Sequence, residues 1–139
     1  ENFSVQGGYA WLDGEITSSN AGNQGFALAD TPDSQANLFV RYDLPNLPIR
    51  LRAGVNYVGD RAFSDNAGIT IFPGLASSDV TLPAYTTLDV GATYDFGSAR
   101  LDLSVTNIAD EAYYTREFND FSVFPGEPIQ ANLRLTADF

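Results

Sequence analysis

The side chains that most often carry out catalysis are missing from this sequence. It contains no histidine, no cysteine and no lysine, so it cannot build a Ser-His triad, a thiolate nucleophile, a cysteine-ligated zinc site or a lysine Schiff base. Carboxylates, tyrosines, hydroxyls and seven arginines are left for chemistry. We therefore predict no catalytic residue, no metal site and no cofactor, and we do not expect this chain to be an enzyme.

Charge excludes a second class of function. Seven basic residues stand against eighteen acidic residues, which gives a formal net charge of -11. No excess of basic side chains is left to displace counterions from a phosphate backbone, so we expect no nucleic acid partner. The hydrophobic content of 44% and the aromatic content of 13% are too high for a disordered acidic tail. This composition indicates that part of the chain faces an apolar environment.

Apolar and polar residues alternate through most of the chain, and the elements that position its functional groups must therefore be strands. The clearest segment is 130–139, in which every second residue is apolar and the residues between are polar. Similar segments at 36–43, 49–57, 86–96 and 99–106, with a less regular one at about 3–15, predict six strands of roughly ten residues each. Two tight connections alternate with three long polar ones, at about 17–35, 59–83 and 111–127.

The apolar strand faces can either pack in a soluble β-sandwich or touch lipid. None of the regular apolar faces carries a charge, and strands of about ten residues are long enough to cross a bilayer at a tilt. We therefore predict an all-β, antiparallel up-and-down meander of about six strands that is a segment of a large transmembrane β-barrel. Aromatic residues near the ends of these faces are predicted to lie at the lipid interfaces: Trp11, Tyr42, Tyr57, Tyr94 and Phe96.

Six strands are too few to close such a barrel, since bacterial single-chain barrels begin at eight strands. The sheet would keep two open edges, whose unpaired backbone groups each cost several kcal/mol in lipid. We therefore expect the chain to need preceding strands or partner copies.

Four motifs follow one another along the chain. They are YVGDR at 57–61, LPAYTTLDVGATYDF at 82–96, VTNIADEAYY at 105–114, and PGEP at 125–128 leading to a terminal Phe139. Together they resemble the C-terminal β-barrel part of TonB-dependent outer-membrane receptors, most closely the ferric-siderophore receptor branch. Such receptors hold a plug domain inside a barrel of about 22 strands. The resemblance implies that residues 1–139 are the C-terminal segment, that the plug domain and earlier strands are absent, and that Glu1 is an internal residue.

The resemblance also implies a function and its partners. The receptor would import ferric siderophores or a similar scarce ligand across the outer membrane of a Gram-negative bacterium. Its partners would be outer-membrane lipid and lipopolysaccharide, its own plug domain and remaining barrel strands, the ferric-siderophore ligand, and the TonB complex through the missing N-terminal part. A passive porin-type channel and a secreted soluble β-sandwich binding domain remain alternatives.

Two groups of residues are candidates for specific roles. The final strand, with Leu133, Leu135 and Phe139, resembles the signal that the barrel-assembly machinery reads, and an interfacial anchor is the alternative for Phe139. Residues at the rim of the long loops can contact an anionic ferric siderophore by stacking and charge-assisted hydrogen bonds, with girdle aromatics and rim salt bridges as the alternative: Arg61, Tyr113, Tyr114 and Arg116. Charges of both signs on the polar strand faces predict cross-strand ion pairs or plug contacts rather than a track for the ligand.

Overall fold

The computed structural model describes residues 2–66, 69–119 and 121–137, without the side chains of 117–119. Within these residues there are twelve strands and one 3-10 turn, Ser77–Asp79. The strands are β1 Phe3–Trp11, β2 Ser34–Asp43, β3 Ile49–Val58, β4 Arg61–Ala62, β5 Thr70–Phe72, β6 Leu75–Ala76, β7 Thr81–Leu82, β8 Tyr85–Asp95, β9 Ala99–Thr106, β10 Tyr114–Asn119, β11 Ser122–Pro125 and β12 Gln130–Ala137. No helix in the described part of the chain is long and apolar enough to cross a membrane.

The six long strands form one antiparallel sheet in the order β1-β2-β3-β8-β9-β12. Each long strand therefore pairs with the next long strand along the chain, which confirms the predicted up-and-down meander. The prediction was wrong about the end of the first strand, because β1 stops at Trp11 rather than near residue 15. Leu12 still donates its amide to the Asp33 carbonyl, but Glu15 then pairs with Ala27 inside its own connection.

The register of the sheet gives it two different faces. Directly opposed residues share a face, and a slip of one residue would move every side chain to the other face. One apolar row crosses all six strands through Phe3, Tyr42, Leu51, Ala92, Leu103 and Leu133. The neighbouring polar row runs through Ser4, Arg41, Arg52, Gly91, Ser104 and Asn132. The alternation in the sequence thus becomes one apolar face and one polar face.

The apolar face is exposed rather than covered by a second layer. Trp11 is 67% exposed, and Leu133 and Leu135 are each 68% exposed. Among the described residues, the buried apolar side chains are Phe63 and Leu82, and both lie in the connection between β3 and β8. A soluble β-sandwich would bury the apolar face of its sheet under a second sheet. This sheet instead presents its apolar face to whatever surrounds the molecule.

The two ends of the sheet differ. At one end, the turn end, residues 44–48 and 96–98 make tight connections; at the other, the loop end, lie the long connections 12–33, 59–84 and 107–129. Short hairpins form within two of the long connections: β4 pairs with β7, β5 with β6, and β10 with β11. The sequence predicted polar loops here and did not predict these hairpins, because their strands are too short for alternation to stand out.

Candidate functional site

Ion pairs line the polar face towards the turn end. The Asp43 carboxylate accepts hydrogen bonds from Arg41 and Arg50, each at 2.6 Å. The other pairs are Arg100–Asp95 at 3.3 Å and Arg52–Asp102 at 3.7 Å. Three of these four pairs join different strands, as the interspersed charges predicted. In the part of the chain that the structure describes, no group of three acidic side chains is placed to hold a metal ion.

The Arg52–Asp102 pair spans a glycine between its partners. Arg52 lies on β3 and Asp102 on β9, with β8 between them. Gly91 of β8 lies opposite Arg52, and a Cβ at Gly91 would be 3.4 Å from the guanidinium nitrogens. The arginine therefore reaches Asp102 across a position without a side chain.

A hollow of about 690 Å³ occupies the middle of the polar face. Its lining combines polar and charged side chains with apolar surface, and it includes one exposed aromatic side chain, Phe39. The residues that define its polar wall are Asn37, Asn56, Asp89, Ser104, Asn132 and Arg134. The polar face therefore offers a water-accessible hollow with both hydrogen-bond donors and hydrogen-bond acceptors.

At the loop end, the three long connections are joined to one another. Asp33 and Asp30 of the first connection donate their amides to the carbonyls of Asp60 and Ala62 at 3.3 Å and 3.1 Å. Arg61 joins the second connection to the third, because its Nη2 donates to the Tyr114 carbonyl at 2.6 Å. The loop end is therefore a connected structure and not three independent loops.

Arg61 is the most buried charged residue among the described residues of this loop end. Its side chain is 2% exposed, its Nε is 3.9 Å from the Asp30 carboxylate, and its Cζ is 5.9 Å from the centre of the Tyr85 ring. The Tyr85 ring stacks on Tyr113 with a centroid distance of 4.2 Å and an interplanar angle of 25°. Gly126 lies against the Tyr113 ring so closely that a Cβ there would overlap ring atoms. We call Arg61, Tyr85, Tyr113 and Gly126 the loop clamp.

Asn107 organises the base of the third connection and was missed as a functional position by sequence reasoning. It is 4% exposed, and its Nδ2 donates to the carbonyls of Glu111 at 2.9 Å and Glu127 at 3.0 Å. Its Oδ1 accepts from the Glu111 amide at 2.9 Å. Asn107 and Asp110 have positive φ values of 48° and 51°, a conformation that asparagine and aspartate tolerate better than most residues. The sequence signal that could have identified this position was the motif Asn-Ile-Ala-Asp, of which Asn107 is the first residue and Asp110 the last.

The predicted interfacial aromatics lie at both ends of the apolar face. Tyr42, Tyr94 and Phe96 lie at the turn end, where the rings of Tyr94 and Phe96 are 4.4 Å apart. Trp11 and Tyr57 lie at the loop end. Their role at a lipid interface stays a prediction.

The predicted assembly residues divide between described and undescribed parts of the chain. Leu133 and Leu135 lie on the apolar face of β12, opposite Leu103 and Leu101 of β9. Phe139 lies outside the described residues. Their role in assembly therefore stays a prediction.

Of the four predicted rim residues, the structure brings three together. Arg61 and Tyr113 belong to the loop clamp, and Tyr114 is joined to it through its carbonyl. The Tyr114 side chain is 44% exposed. Arg116 lies apart on the β10–β11 hairpin, where its guanidinium is 4.7 Å from the centre of the Phe124 ring. Tyr114 and Arg116 are therefore the two rim residues that are exposed, and their contact with a ligand stays a prediction.

Comparison with known proteins gives the family. The family model described as TonB dependent receptor-like, beta-barrel, matches residues 2–108. The metal-pseudopaline receptor CntO of Pseudomonas aeruginosa is 33% identical over 143 residues, a match that covers 100% of this chain and 19% of that receptor. The chain thus spans about a fifth of the length of this relative.

Solved structures show the same fold. The ferric-catecholate import receptor Fiu from E. coli, in its closed form, superposes with a TM-score of 0.81 at 22% identity and covers 99% of this chain and 19% of the other. The siderophore receptor PiuA from Acinetobacter baumannii gives a TM-score of 0.79 at 20% identity, with 97% and 19% covered. These receptors are outer-membrane proteins of Gram-negative bacteria, as was predicted for this chain. Since the family model matches most of the sheet, this chain belongs to the TonB-dependent receptor-like β-barrel family.

Proposed function

We propose that residues 1–139 are the C-terminal segment of the barrel of a TonB-dependent receptor that imports a metal chelate across the outer membrane. The observation that carries this proposal is the two-faced sheet, which is apolar and exposed on one face and lined with ion pairs on the other. Such a sheet separates hydrocarbon from a wet barrel interior. The apolar face would contact outer-membrane lipid, with lipopolysaccharide at the loop end.

The remaining barrel strands and the plug domain would come from the rest of the receptor. β1 and β12 are the edges of the described sheet, and each pairs there with one neighbour. In a bilayer, the free backbone groups along these edges need partners, because no water is available to hydrogen bond with them. The polar face, with its hollow of about 690 Å³, would meet the plug domain. The TonB complex would act through the part of the receptor that lies outside this chain.

The ligand class follows from the names of the relatives and from the loop end. One relative is a receptor for metal-pseudopaline and the solved structures include receptors for ferric chelates, so we propose a metal chelate, with a ferric siderophore as the first candidate. Tyr114 and Arg116 are exposed at the loop end and can contact an anionic chelate through charge-assisted hydrogen bonds and ring contacts. The chain's part in this function is binding and transport rather than catalysis.

Uptake measurements test this proposal. Cells that express the full-length receptor should accumulate radioactive iron supplied as a ferric catecholate, and cells that lack either the receptor or TonB should not. A passive channel would instead allow uptake without TonB, and a soluble domain would partition into the aqueous phase without detergent. Replacing Arg116 with glutamine should weaken uptake, whereas Arg100→Gln at the turn end is the matched control and should leave it unchanged.

A further inference from the structure

We infer that Arg61 is a positioning residue, which docks the β10–β11 hairpin on the loop end of the sheet and so determines where Tyr114 and Arg116 stand. The docking part of this inference rests on geometry alone. Its ligand part rests on the proposed function. No contact of Arg61 itself with a ligand is required.

The hairpin needs such a contact because its strands pair with each other and not with the six-stranded sheet. Asn107 ties the two ends of the third connection together, since it binds the carbonyls of Glu111 and Glu127. That network holds the base of the connection but does not reach the second connection. The loop clamp makes this link, through the hydrogen bond from Arg61 to the Tyr114 carbonyl and the stack of Tyr113 on Tyr85.

The positive charge of Arg61 strengthens the hydrogen bond that joins the second connection to the third. A hydrogen bond from a guanidinium at 2.6 Å is a strong, charge-assisted bond. The guanidinium is buried, and its Nη1 has no hydrogen-bond partner among the described residues, so the Tyr114 carbonyl is a major part of its compensation. If the hairpin moved away, this charge would lose that compensation in a buried place. The buried arginine therefore stabilises the docked position of the hairpin.

Distances between two spin labels measure the docking in the full-length receptor. This chain contains no cysteine, so, once any cysteines in the rest of the receptor are replaced, labels can be attached at Ser122→Cys, near the tip of the hairpin, and at Asn46→Cys, in an exposed turn at the opposite end of the sheet. We expect one narrow distance distribution. Arg61→Gln should lower the ratio of docked to undocked hairpin at least about tenfold, from the loss of one charged hydrogen bond. Arg100→Gln, the same change in an exposed ion pair at the turn end, should leave the distribution unchanged.

A second pair of variants tests the clamp from the other side, and keeps the test valid if Arg61→Gln does not fold. Tyr113→Ala removes the ring that stacks on Tyr85 and should broaden the distribution, whereas Tyr113→Phe keeps the stack and should not. A narrow distribution in folded Arg61→Gln would overturn the inference, as would an equal broadening in Arg100→Gln. If Arg61→Gln does not fold, a narrow distribution in Tyr113→Ala would overturn it instead.

Binding of a ferric catecholate to the same variants tests the ligand part. Its dissociation constant should rise in Arg61→Gln by the same factor by which the docked fraction of the hairpin falls. Unchanged affinity together with a broadened distribution would overturn the ligand part. If the wild-type receptor binds no ferric catecholate while the distances still respond to Arg61→Gln, the ligand choice in the proposed function fails and the docking role of Arg61 is supported.

Discussion

Replacing Leu38 with arginine places a charge near the middle of the apolar face. Leu38 is four residues from Tyr42 at the turn end and four from Ser34, which pairs with Trp11 at the loop end. At a rise of about 3.4 Å per residue, each interval is roughly 14 Å along the strand, or about 10 Å along the membrane normal at a tilt near 45°. Since the apolar band of such barrels is about 25 Å tall, Leu38 lies close to its centre.

An arginine at this depth should destabilise the receptor by about 2–4 kcal/mol. The matched control is Asn37→Arg, since Asn37 is the adjacent residue on the same strand but lines the hollow of the polar face. We expect the control to cost less than about 1 kcal/mol, because its side chain enters a wet interior. The free energy of unfolding can be measured by guanidinium denaturation of the full-length receptor in phospholipid vesicles.

The comparison between the two variants decides whether the apolar face meets lipid. Equal destabilisation by Leu38→Arg and Asn37→Arg would refute the assignment of the two faces. A cost of less than about 1 kcal/mol for Leu38→Arg would refute it as well, because a charge near the centre of a bilayer cannot be accommodated so cheaply.

Three further predictions concern the loop end and assembly. Gly126→Ala should destabilise the receptor by about 1–3 kcal/mol, since its Cβ would overlap the Tyr113 ring, and a lower melting temperature in detergent would show this. Asn107→Ala should cost about 1–2 kcal/mol and speed hydrogen exchange of the Glu111 amide, because that amide loses its acceptor, Asn107 Oδ1, and the carbonyls of Glu111 and Glu127 lose their donor; unchanged exchange would contradict it. Deleting Phe139 should lower the amount of receptor at the cell surface, and a normal surface level would count against the assembly signal.

The strands and their faces could be predicted from sequence because both follow from a period of two. Residues 99–106 were predicted as a strand and match β9 at both ends. The end of β1 could not be predicted, because it depends on Asp33 and Ala27, which pair with residues just after Trp11 from the far side of the connection. A local pattern contains no information about such partners.

The candidate site was predicted in its residue types but not in its arrangement. Arg61, Tyr113, Tyr114 and Arg116 were grouped as one ligand-facing rim because all follow strand ends. The structure buries the Arg61 side chain and stacks Tyr113 on Tyr85, so these two join the loops, while Tyr114 and Arg116 stay exposed. Spacing in sequence cannot distinguish these roles, since Arg61 and the Tyr114 carbonyl are 53 residues apart.

The sequence by itself determined that this chain is a two-faced antiparallel meander, because alternation puts every second side chain on the same side of a strand. It also determined which chemistry is excluded, since the missing histidine, cysteine and lysine are missing in any fold. Only the tertiary structure decided which charges pair across strands, which long connections touch one another and which rim side chains stay open. Those outcomes depend on distances between residues far apart in the chain, and such distances exist only once the sheet has formed.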